Sequence, residues 1–253
     1  MEPVPTSIHL GPLTFHLYGL GLAVAAYVTY YYARRRLARS GVDPAPFARL
    51  SVWLIVSGLI GARVAHLATN WGYYATRPGE WIAVWQGGLG SFGGIALALP
   101  VGLVLVRRYW PQRRLSQITD ALVPALIAGW ALGRLLGPQF MYQGGGHLTH
   151  QWFGLRYAGQ AGKRVPVPLI QAAEDALLWL GLLGAERRGL PRAPGAITGW
   201  GMIVWGLVRS LDERLLLGQH SHSGSIGVQL AGLVLAAGGV VVLVRSWRTP
   251  TRA

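Results

Sequence analysis

Three arginines lie inside segments that are otherwise apolar enough to cross a membrane. Arg134 is near the end of the segment 120–137, Arg63 is in LIGARVAHL, and Arg209 is in WGLVRSLDE. An arginine inside a bilayer costs roughly 2.5–3.5 kcal/mol on insertion scales unless it snorkels, pairs or faces a polar cavity. Each arginine is therefore a candidate anion-binding residue. The alternative is that they only hold helices together, by pairing with Asp120, Glu174, Asp175 or Glu213.

The spacing of the charged residues leaves both readings open. Arg209 and Glu213 are four residues apart, so a helix would place them on one face, where they can neutralise each other. Arg134 and Arg209 also fall at similar depths, near the outer ends of their predicted helices. Two guanidinium groups that face one cavity would form a bidentate site for phosphate or carboxylate.

The composition indicates a membrane protein. Of the 253 residues, 52% are hydrophobic and 13% are charged, whereas ordinary soluble domains have about 25% charged residues. The net charge of +14 is concentrated in short basic clusters between apolar runs, which indicates topology and not a nucleic-acid partner. The chain has no cysteine, which excludes disulfides and cysteine nucleophiles, and its histidines lack metal-ligand spacing. We therefore expect no metal, no cofactor and no nucleic acid.

Apolar runs long enough to span a hydrocarbon core recur along the chain. They lie at roughly 13–33, 50–68, 88–107, 118–137, 166–185, 195–213 and 223–245. The pattern predicts an all-α, polytopic membrane protein with seven transmembrane helices, forming one domain over residues 1–253. Basic residues concentrate in alternate turns, which predicts an outer N-terminus and a cytoplasmic C-terminus. We expect no cleavable signal peptide, because residues 1–12 lack a positively charged start.

The outward connections are expected to carry function. The segment 86–94 is glycine-rich, and glycine permits close approach of a ligand. Close packing of helices by small residues is an equal alternative. The candidate substrate-binding residues in this segment are Gly87, Gly88, Gly93 and Gly94. The connection at about 138–165 is the longest and is polar and irregular, so we expect it to form a small outer loop or head region outside the lipid.

Short motifs follow one another along nearly the whole chain. They are GPLTFHLYG at 11–19, IGAR at 60–63, WQGGL at 85–89, QITDALVP at 117–124, GRL at 133–135, WFGLRY at 152–157, PGAITG at 194–199 and RSLDE at 209–213. In order and spacing these motifs resemble the prolipoprotein diacylglyceryl transferase family. The resemblance implies a seven-helix enzyme of the bacterial cytoplasmic (inner) membrane. Such an enzyme moves diacylglycerol from the membrane lipid phosphatidylglycerol to the lipobox cysteine in a prolipoprotein signal peptide.

The resemblance also implies catalytic roles. Arg134 falls on the family's essential arginine, and Tyr18 falls on an important family tyrosine. Arg209 and Glu213 match the family's R-x-x-x-E. The two arginines would stabilise the departing phosphate, because arginine stays charged and binds phosphate with two donors. Glu213 would orient Arg209, and Tyr18 would hydrogen-bond the lipid head group.

Two further positions are candidates for substrate binding. Arg63, in the motif that resembles the family's G-G-R, would contact the phosphate, and pairing with Asp120 is an equal alternative. Gly154 lies in the stretch that resembles the family's W-G-V-R-F.

Several positions depart from the family pattern. After Arg134, one residue is inserted and both asparagines of the family signature are missing. Phe92 stands where the family usually has a histidine proposed to act as base, and Pro168 and Gln171 replace a glutamine and a glutamate. Phenylalanine cannot carry a proton, so the acceptor of the thiol proton is unassigned. His147 or His150 in the outer loop are candidates. Solvent is another, because a cationic site lowers the pKa of a thiol.

Two other functions remain open at this point. The departures are compatible with a homologue that binds phospholipid without catalysis. Intramembrane charge is also found in small-molecule transporters, although the sequence has no clear internal repeat.

Overall fold

The computed structural model describes residues 2–11, 13–83, 91–189, 193–214 and 222–248. Within these residues, two short strands precede eight α-helices. The strands are β1 (Ser7–Leu10) and β2 (Leu13–His16), and the helices are α1 (Leu17–Arg39), α2 (Phe47–Thr69), α3 (Trp71–Tyr74), α4 (Ser91–Tyr109), α5 (Leu115–Leu136), α6 (Val167–Arg187), α7 (Ala196–Asp212) and α8 (His222–Arg248). The predicted, mainly helical membrane protein is therefore confirmed, with a small hairpin that the sequence analysis did not predict.

Each predicted apolar run overlaps one of the long helices α1, α2 and α4–α8. Four segments are both long and apolar enough to cross a membrane, and they are Phe47–Thr69, Leu115–Phe140, Val167–Arg187 and Ile226–Trp247. Two of the other long helices are less uniformly apolar. α7 has 17 residues and carries Arg209 and Asp212 near its end, and α4 carries Arg107 and Arg108 in its last turn. The number of seven spans therefore stays a prediction.

The first predicted span begins later than expected. β1 and β2 pair in antiparallel register, with Ser7 opposite His16 and Leu10 opposite Leu13. Gly11 follows β1 with a φ of 60°, a conformation that glycine adopts without the strain of a Cβ. The apolar residues 13–16 that were assigned to the span thus belong to a strand.

Contacts divide the chain into two compact units. Unit 1 consists of Met1–Arg36 and Thr119–Ala253, and unit 2 consists of Leu37–Ile118. Glycines let helices approach closely in both. In unit 2, a Cβ on Gly61 of α2 would collide with the carbonyl of Gly93 on α4. In unit 1, a Cβ on Gly206 of α7 would collide with the carbonyl of Gly232 on α8. Small residues at helix contacts are typical of membrane proteins.

Arg36 connects three helices of unit 1. Pro124 inside α5 has no N–H, so the carbonyl of Asp120 loses its helical donor. Arg36 Nη2 donates to that carbonyl at 3.3 Å, and its Nε donates to the Ala121 carbonyl at 2.7 Å. Its guanidinium also forms an ion pair of 2.5 Å with Glu186 of α6. The arginine therefore satisfies the carbonyl that the proline leaves without a donor, and it links α1 to α5 and α6.

Asp120 caps a helix. Its carboxylate accepts hydrogen bonds from the backbone N–H of Gly195 at 2.6 Å and of Thr198 at 2.8 Å. The Thr198 hydroxyl donates to it at 2.6 Å. These donors are at the N-terminus of α7, where a carboxylate is favoured by the helix dipole.

The connection 138–165, which is described throughout, folds over the start of the chain. Its backbone segments pair with each other, as shown by the hydrogen bond of 2.9 Å from Val165 N to His147 O. The Tyr157 hydroxyl is buried and donates to Gln139 Oε1 at 2.8 Å. Val4 N donates to Arg156 O at 2.9 Å, so the N-terminal segment is attached to this connection.

Candidate active site

Arg209 is surrounded by carboxylates. It lies in the last turn of α7, and only 7% of its side chain is exposed. Its Nη2 donates to Glu174 Oε2 at 3.2 Å and to Asp175 Oδ1 at 3.3 Å, both on α6. Its Nη1 lies 3.0 Å from Asp212 Oδ2 in its own helix. One guanidinium is therefore opposed by three acidic side chains.

Helical periodicity brings these groups together. Gln171 is three and four residues before Glu174 and Asp175, so the three side chains share one region of the α6 surface. Gln171 Nε2 donates to Asp212 Oδ2 at 3.1 Å, across to α7. We refer to Gln171, Glu174, Asp175, Arg209 and Asp212 as the Arg209 cluster.

Several polar atoms of the Arg209 cluster are unmatched. Gln171 Oε1, Asp175 Oδ2 and Arg209 Nε are buried and have no hydrogen-bond partner among the described residues. A buried polar atom without a partner typically costs about 1–3 kcal/mol. The cluster therefore keeps unused donors and acceptors, which marks it as a candidate functional site.

Arg134 has a different environment. It lies in the last turn of α5, and among the residues that the structure describes it forms no hydrogen bond or ion pair. Its guanidinium is 5.7 Å from the centre of the Trp130 ring. The group with the strongest electrostatic effect on it is Arg209, followed by Asp175 and Asp212. Arg134 is thus a cation near the Arg209 cluster with free donors.

Two tryptophans connect the two arginines. Arg209 lies 5.7 Å from the ring centre of Trp205, just as Arg134 lies over Trp130, and each tryptophan is four residues before its arginine. The two indole rings meet edge to face at 5.4 Å. This contact fixes the ends of α5 and α7 relative to each other. It supports the expectation that both guanidinium groups belong to one site.

Tyr18 belongs to the same region. It lies in the first turn of α1, is 39% exposed, and is among the groups that act electrostatically on Arg134. Gly21, one turn later, explains the approach, because a Cβ there would collide with the carbonyl of Leu136. The start of α1 therefore packs directly on the end of α5, beside Arg134.

The structural alternative for Arg209 and Glu213, an ion pair with each other, is not found among the described residues. The ion-pair partners of Arg209 among the described residues are Glu174, Asp175 and Asp212. α7 ends at Asp212, and Glu213 caps it with its backbone N–H on the carbonyl of Arg209, while the Arg209 guanidinium is occupied by the carboxylates of α6 and by Asp212. Glu213 itself is buried, with 4% exposure.

Arg63 lies in unit 2 and binds backbone oxygens. Its Nε donates to Trp81 O at 2.9 Å, and its Nη2 donates to Glu80 O at 2.5 Å. The guanidinium also lies 5.3 Å from the ring centre of Tyr74. These contacts hold the turn that follows α3. They support a structural role for Arg63, with partners other than Asp120, whose carboxylate binds the start of α7.

The candidate substrate-binding glycines lie in different parts of the chain. Gly87 and Gly88 lie outside the described residues. Gly93 and Gly94 belong to α4, and a Cβ on either would press on α2. This observation favours helix packing, the alternative raised by the sequence. Gly154 is in the head, where a Cβ would come within 2.7 Å of Thr149 Cγ2.

An apolar cavity of about 350 Å³ lies in unit 1 between α1, α5 and α6. Its lining includes Val28, Gly129, Leu132, Ala176 and Trp179. Leu132 is two residues before Arg134, and Ala176 follows Asp175. An apolar cavity therefore runs beside the same helices that carry the charged groups.

Comparison with known proteins decides the family. A family model described as prolipoprotein diacylglyceryl transferase matches residues 5–245. The chain belongs to this family. The match includes every motif on which the resemblance was based.

Relatives in this family carry one name, phosphatidylglycerol–prolipoprotein diacylglyceryl transferase. The protein from Synechococcus elongatus is 36% identical over 133 residues, which are 53% of this chain and 45% of that protein. The protein from Thermus thermophilus is 36% identical over 131 residues, 51% of this chain and 45% of that protein. The chain thus matches about half the length of these relatives. The protein from Cutibacterium acnes is 29% identical over 96% of this chain and 85% of its own length.

The structure adds residues to the candidate site. In the sequence, Glu174 and Asp175 are only possible structural partners of the arginines, and Asp212 is one residue of the motif RSLDE. The spacing of three residues between Arg209 and Asp212 is a signal that was available. Of the family departures, Gln171 lies in the Arg209 cluster, Pro168 is in the first turn of α6, and Phe92 is in the first turn of α4.

Proposed function

We propose that this chain transfers a diacylglyceryl group from phosphatidylglycerol to the lipobox cysteine of a prolipoprotein in the bacterial cytoplasmic membrane. Seven spans would place the N-terminus outside and the C-terminus in the cytoplasm. Family membership and the names of the relatives support this activity. The site therefore has to bind a phosphate group and accept the proton of a thiol.

The observation that carries the proposal is the free guanidinium of Arg134. It is a cation within an apolar helix, it has no anionic partner among the described residues, and it lies close to a second arginine. A guanidinium stays charged and offers paired donors to phosphate oxygens. Tyr18 adds a hydroxyl beside it. Arg134 is thus the residue best suited to bind the phosphate of the lipid.

The two arginines divide the task. The carboxylates of the Arg209 cluster already hold Arg209 through Nη1 and Nη2, which leaves its Nε as an unused donor. Arg134 would contact the phosphate directly, and the Nε of Arg209 would be a second donor. Glu213, buried at the end of α7, belongs to the same proposed site. The apolar cavity between α1, α5 and α6 would accept part of an acyl chain.

The chemistry is a substitution at carbon. The sulfur of the lipobox cysteine forms a bond to the terminal glycerol carbon, and the bond from that carbon to the phosphate oxygen breaks. Glycerol phosphate leaves with the electron pair. Negative charge grows on the phosphate as the bond breaks, so donors that are already in position lower the barrier.

The test is direct transfer with purified protein, phosphatidylglycerol vesicles and a synthetic lipobox peptide, measured by the mass gain of the peptide. We expect Arg134→Ala to lower the rate by about 10²–10³-fold, the effect of removing one preorganised donor. Arg134→Lys should recover part of the rate, because lysine keeps the charge and loses the bidentate geometry. Arg188→Ala is the matched control, because Arg188 is exposed at the end of α6.

Each result has a clear meaning. Equal rates for Arg134→Ala and the parent chain would contradict the proposal. Binding of phosphatidylglycerol without any mass gain would assign the chain to phospholipid binding without catalysis, the function suggested by Phe92.

A further inference from the structure

The Arg209 cluster holds more acidic groups than its arginine can neutralise. Arg209 faces Glu174, Asp175 and Asp212, each within 3.3 Å of its guanidinium. Asp175 Oδ2 and Gln171 Oε1 are buried acceptors without a donor among the described residues. A buried carboxylate without compensation is costly, so such a group takes up a proton instead. The cluster has the composition of a proton-binding site.

Two of the carboxyl groups face the same guanidinium. Glu174 Oε2 lies 3.2 Å from Nη2 of Arg209, and Asp212 Oδ2 lies 3.0 Å from Nη1. We refer to Glu174 and Asp212 as the carboxyl pair. One guanidinium carries a single positive charge and cannot neutralise both carboxylates, so the carboxyl pair has the capacity to bind a proton.

The exposures of the side chains show which member exchanges protons. The Glu174 side chain is 32% exposed, whereas those of Asp175 and Asp212 are 2% and 6% exposed. Glu174 is therefore the acidic group of the cluster that a substrate can reach. Asp212 behind it is also fixed by Gln171 Nε2 at 3.1 Å, which keeps the pair in place.

We propose that Glu174, which shares the guanidinium of Arg209 with Asp212, accepts the thiol proton of the lipobox cysteine. This inference rests on the proposed function. The S–H proton moves to the carboxyl pair, and the sulfur electron pair forms the C–S bond. The C–O bond to phosphate breaks, and its electrons leave on glycerol phosphate, which Arg134 stabilises. The carboxyl pair then returns the proton to solvent through Glu174.

The placement fits the rest of the site. Arg134 and Arg209 each contact a tryptophan, and the two tryptophan rings meet at 5.4 Å, so the proposed phosphate site lies beside the Arg209 cluster. Among the described residues, the charged groups around Glu174 include Asp175 on α6, Arg209 and Asp212 on α7, and Arg134 at the end of α5. Phe92 cannot accept a proton, and Glu174 supplies an acceptor from a different helix.

The test compares cysteine with selenocysteine in the same lipobox peptide, under reducing conditions and with phosphatidylglycerol vesicles. A selenol is already ionised at neutral pH and needs no base. We expect Glu174→Gln to slow transfer to cysteine by about 10²–10⁴-fold, the usual effect of losing a general base. Transfer to selenocysteine should stay close to the parent rate. Glu174→Asp should recover part of the cysteine rate, and Glu80→Gln, in an exposed turn of unit 2, is the control.

Several outcomes would overturn the inference. One is a Glu174→Gln variant that transfers to cysteine at the parent rate. Another is an equal loss with both peptides, which would indicate a structural role. If the parent chain transfers to neither peptide, the proposed function itself fails. If the parent chain transfers to selenocysteine and not to cysteine, the proposed activity stands and the role of Glu174 as proton acceptor is excluded.

A measurement on the unaltered chain keeps the inference testable if Glu174→Gln does not fold. With Glu174 as base, the rate with the cysteine peptide should reach its plateau well below about pH 8.5, the ordinary pKa of a thiol. A rate that rises steadily up to that pH would indicate deprotonation by solvent and would exclude Glu174.

Discussion

At the scale of single residues, Arg134 and Arg209 differ in their partners and not in their local sequence. Each lies in the last turn of a helix, one turn after a tryptophan that it contacts. Arg209 is fixed by three carboxylates, and Arg134 has no carboxylate partner among the described residues. Arg209 therefore stabilises the contact between α6 and α7, and Arg134 is available to bind a ligand.

This difference predicts opposite effects on stability. Arg209→Ala leaves the buried carboxylates of Asp175 and Asp212 without their cation, and breaking a buried ion pair in this way costs about 3–5 kcal/mol. Arg134→Ala removes a cation that repels Arg209, so it should change stability little. Thermal unfolding of the two variants in the same detergent measures the difference.

A second substitution checks the cause. Asp175→Asn, added to Arg209→Ala, removes one of the unpaired charges and should restore part of the lost stability. Equal midpoints for Arg209→Ala and Arg134→Ala would contradict this description of the cluster.

At the scale of the helices, the start of α1 and the end of α5 are in direct contact. Gly21 faces the carbonyl of Leu136 with no room for a Cβ, and Gly137 is close to Leu22. Tyr18 is one turn before Gly21, and Arg134 is two residues before Leu136. The contact between the two backbones therefore positions the tyrosine beside the arginine.

Gly21→Ala tests this contact. The added methyl group would push α1 away from α5, and overpacking of this kind typically costs about 1–3 kcal/mol. Transfer should fall as well, because Tyr18 moves away from Arg134. Gly181→Ala in α6 is the control, since a Cβ there meets no atom within 4 Å. A Gly21→Ala variant with the stability and rate of the control would show that the two helices are not held by this contact.

The head region contains a buried tyrosine that titrates unusually. Burial raises the pKa of the Tyr157 hydroxyl from 10.0 to about 12. Between these pH values, the unfolded chain loses the phenolic proton while the folded chain keeps it. Rising pH therefore favours unfolding in this range, and below pH 10 Tyr157 has no such effect.

The expected result is a loss of thermal stability from pH 10 to pH 12 that is smaller in Tyr157→Phe. The same variant should be less stable at neutral pH by about 1–3 kcal/mol, because Gln139 Oε1 loses its donor. An identical pH dependence in both proteins would show that Tyr157 is not the group responsible.

At the scale of the whole molecule, the arrangement of the basic residues predicts orientation in the membrane. The chain has no cysteine, so a single introduced cysteine can be labelled without background. Gln151→Cys, in the head, should react with a membrane-impermeant maleimide on intact cells. Gln112→Cys, in the basic turn before α5, should react only after the membrane is opened. The reverse pattern would contradict the predicted orientation.

The sequence alone determined the helices and the family. Runs of apolar residues are a local property, and each predicted run overlaps a helix because an unbroken helix satisfies its own backbone in lipid. The motifs around Arg134 and Arg209 indicated the family, because a motif is recognised from residue types and their order, which can be read without the folded structure. The hairpin of β1 and β2 was missed because four apolar residues fit a strand as well as a helix.

Only the tertiary structure decided which charges meet. Arg209 pairs with Glu174 and Asp175 on another helix, 35 and 34 residues away in sequence. The local spacing of four residues pointed to Glu213, but the guanidinium of Arg209 pairs with Asp212, three residues away, and with the carboxylates of α6. Ion pairs between helices depend on which faces pack together, and packing is a property of several helices at once. For the same reason, the sequence marked both arginines as candidates, and the folded chain left only Arg134 without a carboxylate partner among its described residues.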